Sequence, residues 1–167
     1  KLAFAFFEKD TAGAKAVQVE VFDERMRMLW DRKHVLKISN PEYQIHDISV
    51  NNQGTETLLA IRSYTTGKKV QHTDSKAHLI WLTQYEQRQY EQQIEKAWPT
   101  DIKCAFNLEG DYLMAGYYGK NADKPKLAQG SFAYKYDQRR GYLKNSSTID
   151  FKEYETDEMV KEGLPKP

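Results

Sequence analysis

The stretch MAGYY at residues 114–118, followed by FAYKYD at residues 132–137, decides the fold, because the same pattern occurs three times along the chain. Each copy has an apolar strand, a polar insert, a second apolar strand and a turn. The other two copies are LAFAFF at residues 2–7 with VEVFDE at 19–24, and LAIRSY at 59–64 with LIWL at 79–82. Regular self-similarity is typical of repeat architectures. The sequence therefore predicts a protein built from copies of one antiparallel β-module.

Size and composition predict a single globular β-domain over residues 1–167. The chain is 40% hydrophobic and 29% charged, and its aromatic content of 13%, with 11 tyrosines, favours strands. A net charge of +1 gives no overall field that would attract nucleic acid, so we expect no nucleic-acid partner. No apolar run approaches the roughly 18 residues of a membrane span, and we expect none.

Three units are predicted, at about residues 1–40, 41–97 and 98–155. The second and third units are expected to be four-stranded meanders that turn at Gly54 and Gly110, since Gly and Asn supply the positive φ of such turns. The first unit has three strands, because Leu2 already aligns with the second strand of the other units. Polar inserts at residues 9–14, 65–76 and 120–129 join the second and third strands of their units.

Two segments differ from the rest of the repeat pattern. The first has two competing interpretations, and the second lies outside the repeat. Residues 84–96 are rich in Gln and Glu, which favour a helix when this segment is taken alone. The repeat predicts a turn and an outer strand there instead. Residues 156–163 are predicted to form a short helix, because an N-cap candidate precedes acidic residues and Gly and Pro follow the last turn.

Two alignments relate the units to one another. Ala3, Ala60 and Ala115 are predicted to occupy equivalent positions. An acidic residue is predicted in the second turn of each unit, where a carboxylate accepts local backbone N–H bonds; these residues are Asp23, Glu86 and Asp137.

The segment GDYLMAGYYGK at residues 110–120, followed by QGSFAYKYD at residues 129–137, resembles a blade of uncharacterised exported bacterial proteins with β-propeller-like repeats. The resemblance implies antiparallel four-stranded blades and an extracytoplasmic location, in the periplasm or at the cell surface. It carries no catalytic residue to this chain. The alternative fold is a β-sandwich or an up-and-down barrel of about ten strands with a terminal helix.

Three units are too few to close a propeller, for which about four to eight blades are typical. We therefore expect the chain to be a piece of a longer protein. An open array exposes strand edges, and exposed edges pair readily with other chains. The sequence analysis thus predicts edge-to-edge association with a second copy, or association with missing blades.

The candidate ligand-binding residues are three tyrosines beside the inserts. Their flat rings can stack on sugar rings or peptides, and the hydroxyl adds a polar contact. Most other aromatic residues are expected in the core. The three candidates are Tyr64, Tyr117 and Tyr118.

A weak metal-binding candidate lies in one predicted loop and the start of the next strand. His72, Asp74 and His78 place two imidazoles and a carboxylate close together in sequence. Their spacing matches no established zinc pattern, and a solvated hairpin loop explains the same residues. We therefore predict no metal site. Cys104 lies in an apolar stretch and is expected to be a buried, inert thiol.

The chain has no phosphate-binding glycine loop, nucleophile elbow or paired-cysteine motif, so no catalytic residue and no cofactor is predicted. We expect a non-enzymatic binding or scaffold module of an exported bacterial protein that contacts a protein or a glycan through its loops. Two alternatives stay open. One is a fragment of a polysaccharide-acting propeller hydrolase or lyase that uses paired carboxylates, and the other is a barrel that holds a small apolar ligand.

Overall fold

The computed structural model describes residues 1–9, 15–65, 75–93, 98–119 and 128–151. Within these residues all regular secondary structure is antiparallel β-strand, arranged as three sheets of consecutive strands. Sheet 1 contains β1 (Leu2–Lys9), β2 (Lys15–Phe22) and β3 (Met28–Val35). Sheet 2 contains β4 (Glu42–Val50), β5 (Glu56–Tyr64), β6 (Ser75–Thr83) and β7 (Gln87–Gln92). Sheet 3 contains β8 (Trp98–Phe106), β9 (Tyr112–Gly119), β10 (Gly130–Tyr136) and β11 (Leu143–Asp150).

This architecture confirms the predicted all-β class and the blade-like meanders. The described residues form separate sheets and no closed barrel. Sheet 1 has three strands, as the alignment of Leu2 with the second strand of the other units predicts. The predicted helix at residues 156–163 and most of the three inserts (residues 10–14, 66–74 and 120–127) lie outside the described residues.

The first hairpins of sheets 2 and 3 have the same construction. Gly54 and Gly110 have φ angles of 76° and 86°, as the turn predictions require. An asparagine at the start of each turn accepts backbone N–H bonds through its side-chain oxygen. Asn51 Oδ1 lies 3.0 Å from Thr55 N, and Asn107 Oδ1 lies 2.8 Å from Asp111 N.

The predicted outer strand of sheet 2 is present as β7. Its residues pair with β6 in antiparallel register, so that Leu79 lies opposite Tyr90. The helix propensity of the Gln-rich segment is therefore overridden by strand pairing and by the burial of Tyr90 against the core.

The second hairpin of each sheet is closed by a side chain that caps the turn. Asp23 Oδ1 accepts from Arg25 N at 2.8 Å, and Asp137 Oδ1 accepts from Arg140 N at 2.7 Å. The equivalent residue in sheet 2 is Thr83, whose Oγ1 accepts from Glu86 N at 2.9 Å. The predicted equivalence of Glu86 to the two aspartates is therefore wrong, because the capping residue precedes Glu86 in that turn.

Counting back from these hairpins fixes the equivalent positions on the strands. Ala60 pairs with Leu79 and Ala115 pairs with Ala133, and the corresponding pair in sheet 1 is Ala5 with Val19. The prediction that Ala3 is the equivalent residue is thus wrong by two positions. A shift of two residues keeps a side chain on the same face of a strand, so the hydrophobic pattern alone does not separate these alignments.

The three sheets are stacked face to face. We call the face turned toward the following sheet the front face, and the face turned toward the preceding sheet the rear face. One apolar cluster joins the front of sheet 1 to the rear of sheet 2, and another joins the front of sheet 2 to the rear of sheet 3. In addition, β4 contacts both β1 and β8. Sheet 2 is therefore covered on both faces.

The residues of the two clusters define these faces. Sheet 1 contributes Val17, Val19, Val21 and Trp30 to its front face, and sheet 2 contributes Leu59, Ile61, Ile80 and Leu82 to its rear face. The front face of sheet 2 contains Leu58, Ala60, Leu79 and Trp81, and the rear face of sheet 3 contains Tyr112, Met114, Tyr134 and Tyr136.

Two faces stay uncovered within the described residues. They are the rear face of sheet 1, which carries Leu2, Phe4, Phe6 and Phe22, and the front face of sheet 3, which carries Ala115, Ser131, Ala133 and Ser147. Because the sheets contact one another through faces, each end of the array leaves a face open as well as edge strands. The predicted edge-to-edge association and the predicted domain division stay predictions.

Candidate functional site

The front face of sheet 3 forms a groove of about 570 Å³. All four strands of the sheet contribute to it, and its residues are mainly apolar or small. Each of them either points its side chain away from sheet 2 or exposes backbone atoms on the front face. The lining residues are Asp101, Lys103, Ala115, Gly116, Tyr117, Ser131, Phe132, Ala133, Ser147, Ile149 and Phe151.

Small residues form the floor of this groove and larger ones form its wall. Ala115 and Ala133 lie directly opposite each other on β9 and β10. Tyr117 and Phe151 stand at one side with ring centroids 6.1 Å apart. Ile149 is 57% exposed. Among the described residues, nothing covers this apolar surface, and exposed apolar patches are typical of interaction surfaces.

The floor depends on a close approach of β8 to β9 at Gly116. A Cβ atom at this position would lie 1.9 Å from the carbonyl oxygen of Asp101 and 2.9 Å from Phe132 Cζ. The register of β8 shifts between Pro99 and Asp101, which brings that carbonyl toward β9. Glycine is required here because any side chain would push the two strands apart.

Charged residues lie at the β8 side of the groove. Asp101 and Lys103 alternate with the buried Ile102 and Cys104, so their side chains point to the front face. The Lys103 side chain is 64% exposed, and its Nζ lies 3.8 Å from Asp47 Oδ1 of sheet 2. A long contact of this kind leaves the ammonium group available to a partner.

A second groove, of about 650 Å³, lies between the hairpin that joins β4 to β5 and the hairpin that joins β8 to β9. Three of its polar side chains are engaged within the protein. The side-chain oxygens of Asn51 and Asn107 accept bonds from their own turns, and Glu56 Oε2 accepts from Trp81 Nε1 at 2.6 Å. The groove on sheet 3 is therefore the stronger candidate for a binding surface.

The structure places the three predicted tyrosines in different environments. Tyr117 lines the groove and is 36% exposed. Tyr118 is the next residue of β9, so it points to the rear face, where it is 5% exposed and its hydroxyl donates to Asp150 Oδ1. Burial raises the pKa of Tyr118 above its usual range. Tyr118 thus contributes to the core, while Tyr117 alone of this pair reaches solvent.

Tyr64 lies on the front face of sheet 2, where sheet 3 covers it. Its ring is 5.9 Å from that of Trp98, and the Arg62 guanidinium lies 5.1 Å above it. Arg62 donates to the carbonyl oxygen of Pro99 at 2.9 Å. Tyr64 is therefore part of the contact between sheets 2 and 3 and does not join Tyr117 in one site.

Of the weak metal-binding candidates, only His78 lies among the described residues; His72 and Asp74 lie outside them. His78 is fully buried, and burial lowers its pKa from 6.5 to about 4. The described part of the chain contains no group of three or more His, Cys, Asp or Glu side chains arranged to hold a metal ion. Whether His72 and Asp74 take part in metal binding stays untested.

One arrangement was not identified from the sequence, a row formed by Ser63, His78 and Glu91 on adjacent strands. Ser63 Oγ lies 2.7 Å from His78 Nε2, and Glu91 Oε2 lies 3.8 Å from His78 Nδ1. Such a row activates a serine only where a substrate can reach it. Ser63 and His78 are fully buried and line neither groove. We interpret them as a hydrogen-bonded pair of the core.

The carboxylates of the sheet 3 hairpins are held in ion pairs. Burial favours the neutral form of Asp111, but hydrogen bonds from Lys144 and Lys135 outweigh burial and lower its pKa. The backbone N–H of Arg140 lowers the pKa of Asp137. Glycoside hydrolysis needs one carboxyl that stays protonated near neutral pH. Asp111 and Asp137 therefore act as structural anions in these turns.

Cys104 is buried as predicted. Its Sγ lies 3.4 Å from the carbonyl oxygen of Leu58, and burial raises the pKa of the thiol well above its usual range. A thiol held in this neutral form is a poor nucleophile. Within the described residues there is also no helix with the length and apolar character needed to cross a membrane.

No family model and no curated protein matches the chain. Among solved structures, a variant of the apocarotenoid oxygenase of Synechocystis, a β-propeller protein, is similar with a TM-score of 0.57 at 10% identity. The match covers 87% of this chain and 34% of the oxygenase, so the chain spans about a third of that protein. This likeness concerns the fold alone, and it supports the assignment of the sheets as blade-like meanders.

A fucose lectin from Kordia zhangzhouensis, solved in complex with methyl-fucoside, is also found, with a TM-score of 0.34 at 12% identity. That match covers 84% of this chain and 96% of the lectin. The superposition is too weak to carry an argument about this chain.

Proposed function

We propose that this chain is a binding or scaffold module and that the groove on the front face of sheet 3 is its contact surface. One observation carries the proposal. The front faces of sheets 1 and 2 are buried under the next sheet, whereas no described residue covers the equivalent, mainly apolar face of sheet 3. Exposed apolar surface on a regular sheet is costly unless a partner covers it.

The lining of the groove favours a protein partner over a glycan. The floor is broad and made of Ala, Gly and Ser, and apolar side chains form the wall. Glycan sites need several polar groups that converge on sugar hydroxyls. The polar side chains of this groove are instead distributed over all four strands; they are Asp101, Lys103, Tyr117, Ser131 and Ser147. Tyr117 would serve as the aromatic anchor, since tyrosines are enriched where proteins meet. Contacts through the inserts stay a prediction, because those residues lie outside the described part.

We further propose that the module is part of a β-propeller in an exported bacterial protein. The support is the blade-like resemblance of residues 110–120 and 129–137, together with the face-to-face stacking of successive sheets. Fractionation of the cells that produce the protein tests this location. Recovery with cytosolic proteins would contradict it.

The hydrolase or lyase alternative receives no specific support from the described residues. The hairpin carboxylates of Asp23, Asp111 and Asp137 accept backbone N–H groups or pair with lysines, and each has a lowered pKa. A general acid would need the opposite shift. We therefore retain binding as the proposed activity.

The proposal is tested by photo-cross-linking in the cells that naturally produce the protein. A benzophenone-bearing amino acid is introduced at position 117 in the groove and, as a matched control, at position 85. Tyr85 is 76% exposed in the turn between β6 and β7 and does not line the groove. We expect a discrete protein adduct from position 117 and none from position 85. A glycan adduct would replace the protein partner, and no adduct from position 117 would overturn the groove as a contact surface.

A further inference from the structure

We propose that the groove of about 650 Å³ between sheets 2 and 3 binds a neutral glycan. We call it the hairpin groove; it is lined by residues 49–53, 55–56, 105–110 and 138. It lies between the hairpin that joins β4 to β5 and the hairpin that joins β8 to β9. This inference goes beyond the proposed function, because the hairpin groove shares no lining residue with the groove on the front face of sheet 3.

Side-chain amides reach the hairpin groove from more than one turn. Asn52 and Gln53 lie in the turn that precedes β5, and Asn107 lies in the turn that precedes β9. Gln138 comes from the turn between β10 and β11. Four amides from three turns therefore border one groove. Convergent polar groups of this kind orient a ligand in a pocket.

Asn52 and Gln53 are available to a ligand. Both residues are exposed, and among the described residues no hydrogen-bond partner engages their side chains. Each side-chain amide has an oxygen that accepts hydrogen bonds and an NH2 group that donates two. A hydroxyl group also donates and accepts. The two amides therefore suit a ligand that presents neighbouring hydroxyl groups, as a sugar ring does.

The turn that carries these two amides is fixed by its own hydrogen bonds. Asn51 Oδ1 accepts from Thr55 N at 3.0 Å, and Asn51 Nδ2 donates to Thr55 Oγ1 at 3.0 Å. Gly54 N donates to the carbonyl oxygen of Asn51 at 3.0 Å. Because the backbone is already held, a ligand needs to order only side chains, which lowers the entropic cost of binding.

The other side of the hairpin groove is held in a similar way. Asn107 Oδ1 accepts from Asp111 N at 2.8 Å, and the carbonyl oxygen of Gln138 accepts from Arg88 Nη1 at 2.8 Å. The Gln138 side chain lies against Gly110, where a Cβ atom would be 2.5 Å from Gln138 Oε1. Glycine at this position therefore leaves room for the Gln138 amide at the edge of the groove.

Phe106 supplies an aromatic surface beside these amides. Its ring is partly buried and packs edge-on against Tyr112, with the ring centroids 5.8 Å apart. Ligand sites commonly combine an apolar or aromatic lining with a small number of polar groups. A sugar ring can place its C–H groups on the phenyl ring while its hydroxyl groups reach the amides.

The charges of the hairpin groove favour a neutral ligand. Its two acidic side chains are engaged, since Glu56 Oε2 accepts from Trp81 Nε1 at 2.6 Å and Glu109 Oε2 lies 3.1 Å from Lys135 Nζ. None of the described residues that line the groove is Lys, Arg or His. An acidic sugar would therefore lose water without gaining a cationic partner.

Binding is tested with the purified chain and a panel of free oligosaccharides. The neutral members contain glucose, galactose, mannose or N-acetylglucosamine, and sialylated and sulfated oligosaccharides are the charged comparison. Titration calorimetry gives the dissociation constants. We expect at least one neutral oligosaccharide to bind, with equal affinity at low and high salt because no ion pair contributes.

NMR spectroscopy locates the bound oligosaccharide. In a 15N-labelled chain, the side-chain NH2 signals of Asn52 and Gln53 should shift when the oligosaccharide is added. The signals of Asn145 should not shift, since this exposed amide on β11 lines neither groove. Equal shifts at Asn145 would contradict a site in the hairpin groove.

Matched substitutions measure what the amides contribute. The double variant Asn52→Ala/Gln53→Ala is expected to raise the dissociation constant at least about tenfold, because the sugar hydroxyls lose their partners. Both residues are exposed, so circular dichroism should stay unchanged. Asn145→Ala removes an exposed amide outside the groove and should bind as the wild type does.

Three further outcomes would overturn the inference. They are a panel in which no neutral oligosaccharide binds, a double variant that binds as tightly as the wild type, and a chain that binds only the charged oligosaccharides. Each of these leaves the proposed function standing, because the cross-link at position 117 tests the front face of sheet 3 separately.

Discussion

Gly116 illustrates how a single residue fixes the shape of the groove. We expect Gly116→Ala to destabilise the protein by about 1–3 kcal/mol, the usual cost of overpacking. The physical reason is that the new Cβ would meet the carbonyl oxygen of Asp101 at 1.9 Å, and backbone cannot yield as a flexible side chain can. Urea unfolding followed by circular dichroism measures the change in the free energy of unfolding.

The neighbouring residue supplies the control for this substitution. Ala115 points into the open groove, so Ala115→Ser should change the free energy of unfolding by no more than about 0.5 kcal/mol. Equal stability of Gly116→Ala and the wild type would contradict the close approach of β8 to β9.

Three histidines with lowered pKa values, of which His34 and His78 are buried and His46 is partly buried, predict a loss of stability in mild acid. Burial lowers the pKa of His34, His46 and His78 from 6.5 to about 4 in each case. Each stays neutral in the folded chain but takes up a proton in the unfolded chain below pH 6.5. Stability is therefore full above about pH 6.5 and falls as the pH decreases toward 4, by up to roughly 1.4 kcal/mol per pH unit for a fully buried group such as His78.

The pH dependence is measured as the urea midpoint between pH 7.5 and 4.5. We expect a shallower decline for His78→Gln, because the amide does not titrate and can still bond to Ser63. The aspartates with lowered pKa values, Asp23, Asp111 and Asp137, lose their contribution only below their ordinary value of 3.8, outside this window. An identical slope in the variant and the wild type would show that His78 is not neutral in the fold.

At the residue scale, the sequence shows that neighbouring side chains of a strand point to opposite faces. It does not show which of the two faces each side chain points to. Tyr117 and Tyr118 are adjacent, so they had to point to opposite faces of β9. The sequence could not say which of the two faces would be covered, because that depends on the stacking of sheets 2 and 3. The burial of Cys104 was easier to predict, because its apolar neighbours favour burial whichever way the sheets pack.

At the scale of the element, the asparagine turns determine the hairpins of sheets 2 and 3. We expect Asn107→Ala to lower the free energy of unfolding by about 1 kcal/mol, because the N–H groups of Glu109 and Asp111 lose their acceptor. Thermal and urea unfolding give the size of the effect. Leu108→Ala is the control, since Leu108 is fully exposed in the same turn. Equal effects of the two substitutions would rule out the capping role of Asn107.

Elements were predictable where the repeat and the turn chemistry agree. Gly54 and Gly110 marked the hairpins, and the repeat identified β7 against its helix propensity. Register was harder. The assignment of Ala3 in place of Ala5 kept the correct face but missed the position, because a shift of two residues leaves the hydrophobic pattern unchanged. The turn at Thr83 was missed because a hydroxyl there replaces the aspartate of the other units.

At the scale of the whole molecule, the covered position of sheet 2 predicts the order of hydrogen exchange. The amides of β5 and β6 should exchange most slowly, because these strands are central in their sheet and are buried on both faces. The amides of β11 should exchange much faster, since β11 is an edge strand with every residue exposed. Mass spectrometry of exchanged peptides measures both, and equal protection of β5 and β11 would contradict the stacking order.

The stacking itself could not be derived from the sequence. The repeat predicted meanders, and the unbroken apolar run at residues 58–61 is what a strand buried on both faces requires. Which faces meet depends on contacts between residues far apart in the chain, such as Tyr90 with Tyr136 at 4.5 Å. The sequence predicted exposed strand edges at the ends of the array. It did not predict the open faces, because these follow from the face-to-face stacking of the sheets.

The positions of the three tryptophans allow each contact between sheets to be followed by fluorescence. Trp30 donates to the carbonyl oxygen of Gly54 at 2.7 Å and so reports on the contact between sheets 1 and 2. Trp81 and Trp98 lie between sheets 2 and 3, against Tyr112 and Tyr64. Each indole is less than 10% exposed, so its fluorescence emission will shift to longer wavelength when its own pair of sheets separates. Replacing Trp81 and Trp98 by phenylalanine would leave Trp30 as a dedicated reporter for the detachment of sheet 1.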